Sequence, residues 1–279
     1  MWKIRSAPAN KKFSQLRSQP LMKSILLSMI CLTSILGGID LHGAEPHKTM
    51  DNSTHQSPLS KSDYMRGDLR EQEVTNRLTP LLTRELEGLE LAPGSPVFIR
   101  IFKESRELEL WVMHQQSGKY RHFKTWPIAA MSGKLGPKLA EGDMQAPEGF
   151  YYVARSSMKP DSRFHLAFNI GYPNHYDLAH ARSGSFIMVH GNKVSIGCFA
   201  MTDPFIEEIY TLCHLALKNG QPFFRVHVFP FRMTDRQLAD HSNHRWHEFW
   251  TNLKEGYDWF EDKRTPPDVS VHNKRYQFR

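Results

Sequence analysis

The spacing of apolar residues changes along the chain. Between residues 69 and 91, leucines recur at helical spacing around Pro80, which predicts one kinked helix or two short ones. From residue 97 the apolar residues come instead in short runs separated by turn residues, a pattern typical of strands. We therefore expect a helical lead-in over residues 69–95, followed by a β-rich domain.

Seven short apolar runs predict the strands of this domain. They occupy residues 97–102, 108–113, 120–130, 150–154, 164–170, 185–191 and 223–229. One helix is predicted before the last run, over residues 204–218, with Asp203 as its cap and Gly220 as its stop. This order predicts a catalytic-sized domain over residues 96–232 with an α+β fold. It would be mainly β with helical flanks, with its strands in a sandwich or a barrel-like sheet.

The C-terminal residues 233–279 return to a helical pattern and are predicted to form a helical extension. Over residues 234–262, large apolar side chains recur on one side of a helix: Trp246, Phe249, Trp250, Leu253, Tyr257 and Phe260. We predict that this stripe packs against the β domain. The nearby His241, His244 and His247 are expected on a solvated polar face.

The N-terminal residues 1–44 have the layout of a secretory signal. A basic stretch ends at Lys23 and is followed by an apolar run over residues 25–36, which is too short to span a bilayer comfortably. We predict a signal peptide or a retained N-terminal anchor here, followed by a polar linker over residues 45–68. The mature protein would then be exported and would meet the membrane only through an uncleaved leader.

The net charge of the 279-residue chain is +7 at pH 7, and most of this charge lies in the leader. Residues 1–44 contribute +5, which leaves +2 for all later residues. Nucleic-acid binding depends on a dense basic surface of the folded part. We therefore expect no nucleic-acid partner.

His190 and Cys198 lie eight positions apart in the stretch VHGNKVSIGCFAM, each beside a glycine. A cysteine nucleophile needs a base to take its proton and amide donors for the developing oxyanion. His190 ends an apolar run that would hold its ring firmly. Gly191 and Gly197 allow a sharp turn and a close approach of backbone to substrate, and Ser195 could hold the loop or bind the histidine. Together these residues predict a nucleophile with its base.

Two other interpretations of the same residues stay open. After export, Cys198 could form a disulfide with Cys213. Alternatively, two histidines and two cysteines could hold zinc, namely His190, Cys198, Cys213 and His214. Because Cys213 and His214 are adjacent in a predicted helix, their side chains should diverge, and we expect no metal ligation.

The His190–Gly191 pair and the run SIGCFAMTD resemble the active-site signature of the L,D-transpeptidase catalytic domain family of the YkuD type, in its YafK-like, murein-directed branch. The segments GPKLAEGD and APEGFY, within residues 136–151, and FHLAFNIGYPNHYD, residues 164–177, resemble further parts of that family. The resemblance covers residues 97–232. The later segments FPFRMTD and NLKEGYDWFED also look typical of this branch.

This resemblance implies a β-rich catalytic fold that acts on peptidoglycan stem peptides. Carried over by position, Cys198 would attack the carbonyl of an L-centre, normally that of meso-diaminopimelate followed by D-alanine, with His190 as general base. Ser195 and Gly197 would belong to the catalytic loop. An amine acceptor, such as a peptide or an envelope protein, or water would then resolve the thioester. The resemblance implies no metal and no organic cofactor, and a location in the periplasm or cell envelope of a Gram-negative bacterium.

The sequence departs from the commoner form of the family in its short loop. There the histidine lies about twice as far before the cysteine, a histidine often stands at the position of Ile196, and an arginine often follows near Ala200. The fate of the acyl group is therefore open between transpeptidation and hydrolysis by an L,D-carboxypeptidase or amidase-like enzyme. A non-catalytic peptidoglycan-binding module is the alternative from another class.

Two sets of residues are candidates for substrate binding. Three in the segment GYPNHY could line the donor groove: Tyr172, His175 and Tyr176. Four basic residues could meet stem-peptide carboxylates: Arg155, Lys159, Arg163 and Arg182. A surface turn and scattered surface charge are the structural alternatives.

Overall fold

The computed structural model of the protein describes residues 60–279, so the predicted leader and most of the predicted linker lie outside the described residues. The helices are α1 Lys61–Glu87, α2 His175–Ala179, α3 Asp203–Lys218, α4 Asp235–Asp240 and α5 His247–Lys263. The strands are β1 Val97–Phe102, β2 Glu107–Met113, β3 Tyr120–Pro127, β4 Gly149–Ala154, β5 Met158–Lys159, β6 Ala167–Asn169, β7 Met188–His190, β8 Phe199–Ala200, β9 Phe223–Phe229, β10 Val269–His272 and β11 Arg275–Phe278. The predicted α+β fold is confirmed. No helix among the described residues is long and apolar enough to cross a bilayer.

The larger sheet has five strands in the order β3, β2, β1, β9, β4. Only β1 and β9 run parallel, and the other neighbours are antiparallel. All six residues of β1 are buried because both faces of the sheet are covered. Ile99 and Ile101 face the main core, whereas Phe98 and Phe102 face the C-terminal extension. This two-sided cover explains why the run VFIRIF shows no clean alternation of apolar and polar residues.

The smaller sheet has four short strands in the order β5, β6, β7, β8. It shares the main core with the larger sheet, as shown by the rings of Phe168 and Phe224, whose centroids are 5.3 Å apart. Within residues 60–279 the two sheets stay separate and form no closed barrel. Of the two predicted arrangements, the sandwich therefore describes the structure better than the barrel-like sheet.

Helix α1 begins earlier than the sequence pattern predicted. It starts at Lys61, inside the segment predicted as linker, because Ser60 and Asp63 form a capping box. It continues through Pro80 as one helix to Glu87, rather than splitting into two. The helix packs against α3, where the Tyr210 hydroxyl donates to Glu71 at 2.5 Å.

The C-terminal extension covers one face of the larger sheet with aromatic side chains. We call the following residues the aromatic layer: Phe98, Phe102, Phe150, Phe229, Trp250, Tyr257 and Phe260. The predicted packing of this stripe against the β domain is confirmed, since Trp250 and Phe260 are fully buried. The single helix predicted over residues 234–262 is wrong, because a turn at residues 241–246 separates α4 from α5.

Two further features of the extension differ from the sequence prediction. His241 and His244 are half-buried, and their rings stack on Phe231 and Trp250, so they do not lie on a solvated face. The chain ends in the hairpin β10–β11, which no apolar run had indicated. Aromatic packing accompanies both outcomes, and for the hairpin the partners of Tyr276 are distant in sequence.

Candidate active site

The pairing of β7 with β8 brings His190 and Cys198 to one face of the smaller sheet. These strands are parallel, with His190 opposite Ala200, and Cys198 directly precedes β8. Side chains alternate along a strand, so residues two apart share a face. Cys198 therefore lies beside Met188 and diagonally from His190. The Met188 amide confirms this register, since it donates to Cys198 Sγ at 3.4 Å.

The Cys198 thiol is half-buried and held by backbone groups. Besides accepting from Met188, it donates to the Phe186 carbonyl at an Sγ–O distance of 3.6 Å. Burial raises the pKa of Cys198, while the Met188 amide and the Lys138 charge partly oppose this shift. The thiol is therefore protonated at neutral pH, and it needs a base to become a nucleophile.

His190 is presented as a neutral base. It is 2% exposed, and its Nδ1 lies 2.5 Å from the Gly191 carbonyl oxygen. A carbonyl can only accept, so Nδ1 carries the proton and Nε2 keeps its lone pair. Burial lowers the pKa of His190, which keeps the ring neutral at pH 7. Among the hydrogen bonds of the described residues, none joins His190 to Cys198 directly.

The loop between His190 and Cys198 is attached at its start to Asp203, the first residue of α3. A β-carbon at Gly191 would lie 2.5 Å from Asp203 Oδ1 and 2.8 Å from the Phe164 carbonyl, so only glycine fits. The Asn192 amide donates to the same Asp203 oxygen at 2.7 Å. Asp203 had been predicted as the cap of α3, but Thr202 occupies the cap position without a side-chain bond. The carboxylate serves the loop instead.

The end of the loop is tied together by Ser195 and Gly197. The Ser195 hydroxyl donates to the Cys198 carbonyl at 2.6 Å, and no hydrogen bond in the described part links it to His190. Gly197 has a φ of 122°, and a β-carbon there would lie 3.5 Å from the Gln145 carbonyl. Of the two roles considered for Ser195, the structure thus favours holding the loop. The oxyanion role of the Gly197 region stays a prediction.

The segment around residues 136–148 contributes charge that motif resemblance alone did not assign. Asp143 accepts from Lys138 Nζ at 2.6 Å and from the amides of Leu139 and Gln145 at 2.8 and 3.0 Å. This network buries Lys138 to 4% exposure, with its charge close enough to influence the pKa of Cys198. The only sign of this ion pair in the sequence was a lysine and an aspartate five residues apart in GPKLAEGD.

Sequence patterns also did not identify two aromatic residues that lie beside His190 and Cys198. The Phe164 ring lies on His190 with centroids 4.8 Å apart, and it is 41% exposed. Phe186 is 63% exposed, and its carbonyl accepts from the Cys198 thiol. Both residues belong to apolar runs that predicted strands, so the sequence pattern did not indicate that their side chains are exposed.

The predicted donor-groove residues lie in different environments. Tyr172 is buried, and its hydroxyl oxygen lies 3.2 Å from the carbonyl oxygens of both Lys138 and Ser183, which share its single hydrogen. Tyr176 is buried between the rings of His180 and Tyr276. His175 alone is exposed, at the start of α2. The substrate role of these three residues stays a prediction that the packing of the two tyrosines does not favour.

Other candidate ligands are engaged elsewhere. Arg182 is buried in an ion pair with Asp177 at 2.8 Å, so it is not a surface group for substrate carboxylates. Cys198 and Cys213 are both free thiols, and the disulfide alternative is wrong. Cys213 is fully buried in α3, whereas Nδ1 of the adjacent His214 lies 3.3 Å from Oε2 of Glu71. Residues 60–279 contain no group of three or more potential metal ligands.

A thiol and a neutral imidazole on adjacent strands are side-chain types that a cysteine nucleophile with a histidine base would use. Comparison with known families agrees. The model of the YkuD family, L,D-transpeptidase catalytic domain, matches residues 96–228. The chain belongs to this L,D-transpeptidase family.

Two relatives of known sequence support the same assignment. The chain is 50% identical over 183 residues to the "Putative L,D-transpeptidase YafK" of Escherichia coli K12, covering 66% of this chain and 74% of that protein. The O157:H7 protein of the same name matches equally. Among solved structures, the helical cell shape determining protein Pgp2 from Campylobacter jejuni aligns with a TM-score of 0.40 and 16% identity over 64% of this chain and 73% of that one. Bd1075 from Bdellovibrio bacteriovorus aligns with a TM-score of 0.36 and 21% identity over 64% and 78%.

Proposed function

We propose that this protein is an exported L,D-transpeptidase that uses Cys198 to cut and rejoin diaminopimelate-centred peptide bonds of peptidoglycan. The observation that carries the proposal is the placement of the Cys198 thiol and the His190 imidazole on one face of adjacent strands in a chain of this family. The name of the relatives, L,D-transpeptidase YafK, supports the reaction class. Stem peptides would be the acyl donors, and the periplasm or envelope of a Gram-negative bacterium would be the site of action.

The residues can perform each proton and bond transfer of this reaction. His190 Nε2 takes the thiol proton as Cys198 Sγ forms a bond to the donor carbonyl carbon. The bond from that carbon to the D-alanine nitrogen then breaks, and the departing amine receives the proton from His190. An acceptor amine next attacks the thioester, gives a proton to His190 and displaces the sulfur, which regains its proton.

The backbone of the loop is suited to support the developing negative charge. Gly197 has no side chain between its amide and a bound carbonyl, and Ser195 fixes the carbonyl of Cys198. We assign the amides of Gly197 and Cys198 as the oxyanion donors and Gly191 as the sharp exit from β7. Such donors act most strongly where water is excluded.

Digestion of purified sacculi tests this function. Wild-type protein, Cys198→Ala and Cys213→Ala are each incubated with sacculi, and the muropeptides are analysed by mass spectrometry. We expect new crosslinked dimers with wild type and with Cys213→Ala, whose changed thiol is buried away from the site, and none with Cys198→Ala. Intact-mass analysis should show a stem-peptide thioester on Cys198.

Other outcomes would contradict transpeptidation in distinct ways. Released peptides or D-alanine without new dimers would assign the hydrolase alternative to the same cysteine. Products that do not differ between wild type and Cys198→Ala, with no thioester, would indicate the non-catalytic binding module.

A further inference from the structure

Helix α1 lies outside the family-matched residues 96–228, yet it touches the wall of the active site. The contact is with the turn over residues 160–165, which connects β5 to β6. Gly67 and Arg70 of α1 meet this turn. Residues three apart lie on one face of a helix, so both reach the turn together.

The guanidinium of Arg70 lies within hydrogen-bonding distance of three carbonyl groups of the turn. Its Nη1 lies 3.2 Å from the Pro160 oxygen, 3.1 Å from the Ser162 oxygen and 2.5 Å from the His165 oxygen. Hydrogen bonds from a charged donor are stronger than neutral ones. The two N–H groups of Nη1 are thus shared among three carbonyl oxygens spread over six residues of the turn.

Gly67 permits this approach because it has no side chain. A β-carbon there would lie 2.7 Å from the Asp161 nitrogen and 2.8 Å from its α-carbon. Backbone atoms cannot move aside as the end of a flexible side chain can. The helix and the turn thus pack backbone to backbone.

The turn carries Phe164, whose ring lies on His190. His165, the next residue, has a φ of 69°, a conformation that non-glycine residues adopt at a cost and that surrounding contacts must maintain. Those contacts are Arg70 on its carbonyl and Glu207 on its Nε2 at 2.7 Å. The Phe164 carbonyl also lies against Gly191, the residue whose oxygen orients His190.

We propose that Arg70 and Gly67 make α1 a positioning element of the active site, which holds the 160–165 turn so that Phe164 and Gly191 keep the His190 ring in its working orientation. The proposal rests on the proposed function in one respect, that His190 acts as the base for Cys198. Arg70 touches neither the thiol nor the imidazole. It acts through the turn.

The rate of iodoacetamide alkylation of Cys198, followed by peptide mass spectrometry in full-length protein between pH 5 and 9, tests this role without any substrate. The variants are Arg70→Gln, Arg70→Lys, Gly67→Ala and His190→Gln, with Arg84→Gln as control. Arg84 is an exposed arginine of the same helix with no side-chain hydrogen bond in the described part. Thermal unfolding of each variant shows that the measurements are made on folded protein.

We expect Arg70→Gln and Gly67→Ala to lower the alkylation rate at pH 7 by about tenfold, since small misplacements of a catalytic group are costly. Burial lowers the pKa of His190, so loosening its cover should move the acid limb of the profile up, toward the ordinary value of about 6.5. Arg70→Lys should restore most of the rate, and Arg84→Gln should match wild type. A purely structural role for Arg70 would lower the Tm without moving this limb.

Two results would overturn the proposal, and they can be told apart. If Arg70→Gln and Gly67→Ala both keep the wild-type rate and acid limb while His190→Gln slows alkylation, α1 has no positioning role and the proposed function stands. If His190→Gln itself alkylates as wild type does, the base assignment fails, and both proposals fall with it.

Discussion

The candidate active site and the sheet face beneath the aromatic layer each contain a buried histidine, His190 and His227 respectively. His190 is 2% exposed and His227 is 1% exposed. His190 ends a strand and donates from Nδ1 to a carbonyl, whereas both ring nitrogens of His227 lack a partner in the described structure. The rings of Phe98 and Phe150 enclose His227, with centroids 4.7 and 4.6 Å away.

This difference shows that burial alone does not make a base. Burial lowers the pKa of both rings, so both are neutral at pH 7. Of the two rings, only that of His190 has a partner that fixes the proton on Nδ1 and leaves the lone pair on Nε2. His227 is part of the packing of the sheet face, enclosed by the rings of Phe98 and Phe150.

The largest expected effect is the loss of activity on replacing His190, which replacing His227 should not cause. His190→Gln should lower kcat/KM by about 10²- to 10⁴-fold, since it removes a general base, with little change in unfolding free energy. Crosslink formation in sacculi measures the activity and urea unfolding measures the stability. A loss smaller than threefold would show that the thiol finds its base elsewhere.

A stability effect of similar size is expected in the aromatic layer. Phe260 is fully buried against Phe98 and Trp111, so Phe260→Ala should lower the free energy of unfolding by about 3–5 kcal/mol. Activity per folded molecule should stay within about twofold of wild type, because the layer covers the sheet face away from the main core. Phe260→Leu is the matched control, with a smaller stability loss. A large activity loss in folded Phe260→Ala would show that the layer takes part in catalysis.

The sequence predicted the strands of the larger sheet better than it predicted the contacts between distant parts of the chain, and the catalytic roles of His190 and Cys198 stay predictions. Short apolar runs located the strands of the larger sheet within a few residues, since turn residues mark their ends. The approach of His190 to Cys198 depends on parallel pairing of β7 with β8, and a loop with two glycines made this plausible in advance.

The features that the sequence did not predict depend on contacts that the local pattern of apolar and polar residues does not contain. The break between α4 and α5 coincides with the stacking of His241 on Phe231 and of His244 on Trp250, which helical periodicity does not encode. The hairpin β10–β11 packs Tyr276 against Tyr176 of α2, which is distant in sequence. The contact of Arg70 with the 160–165 turn joins residues 90 or more positions apart. Patterns within a window of residues cannot contain such contacts.

The pH profile of the catalytic pair gives a third test of the comparison. The reactive state needs neutral His190, so alkylation of Cys198 should fall as the pH drops through a His190 pKa below the ordinary value of about 6.5. Burial raises the pKa of Cys198, so the rate should still climb above the ordinary thiol value of about 8.5. The spontaneous thiolate limb should persist in His190→Gln, and only the acid limb should disappear. A thiol that titrates below pH 7 would contradict this arrangement and indicate a preformed thiolate.

The smallest expected effect concerns His227, and it has the opposite sign to the others. Replacing a buried polar group that lacks hydrogen-bond partners by an apolar one of similar size is neutral or stabilising, so His227→Leu should change the unfolding free energy at pH 7.5 by between zero and about +2 kcal/mol. Activity should be unchanged.

The pH dependence of stability makes this prediction specific to the histidine. The folded-state pKa of His227 lies well below its unfolded value of about 6.5, so below that pH the unfolded chain binds the extra proton and wild type loses stability as the pH falls. His227→Leu should remove this loss, and its stabilisation should therefore grow between pH 7.5 and 5.5, measured by urea unfolding. His272→Leu, at an exposed histidine of β10, should keep the wild-type slope. A His227→Leu variant that is less stable than wild type at both pH values would mean that the ring makes a polar contact in solution, and the contrast with His190 would then lose its basis.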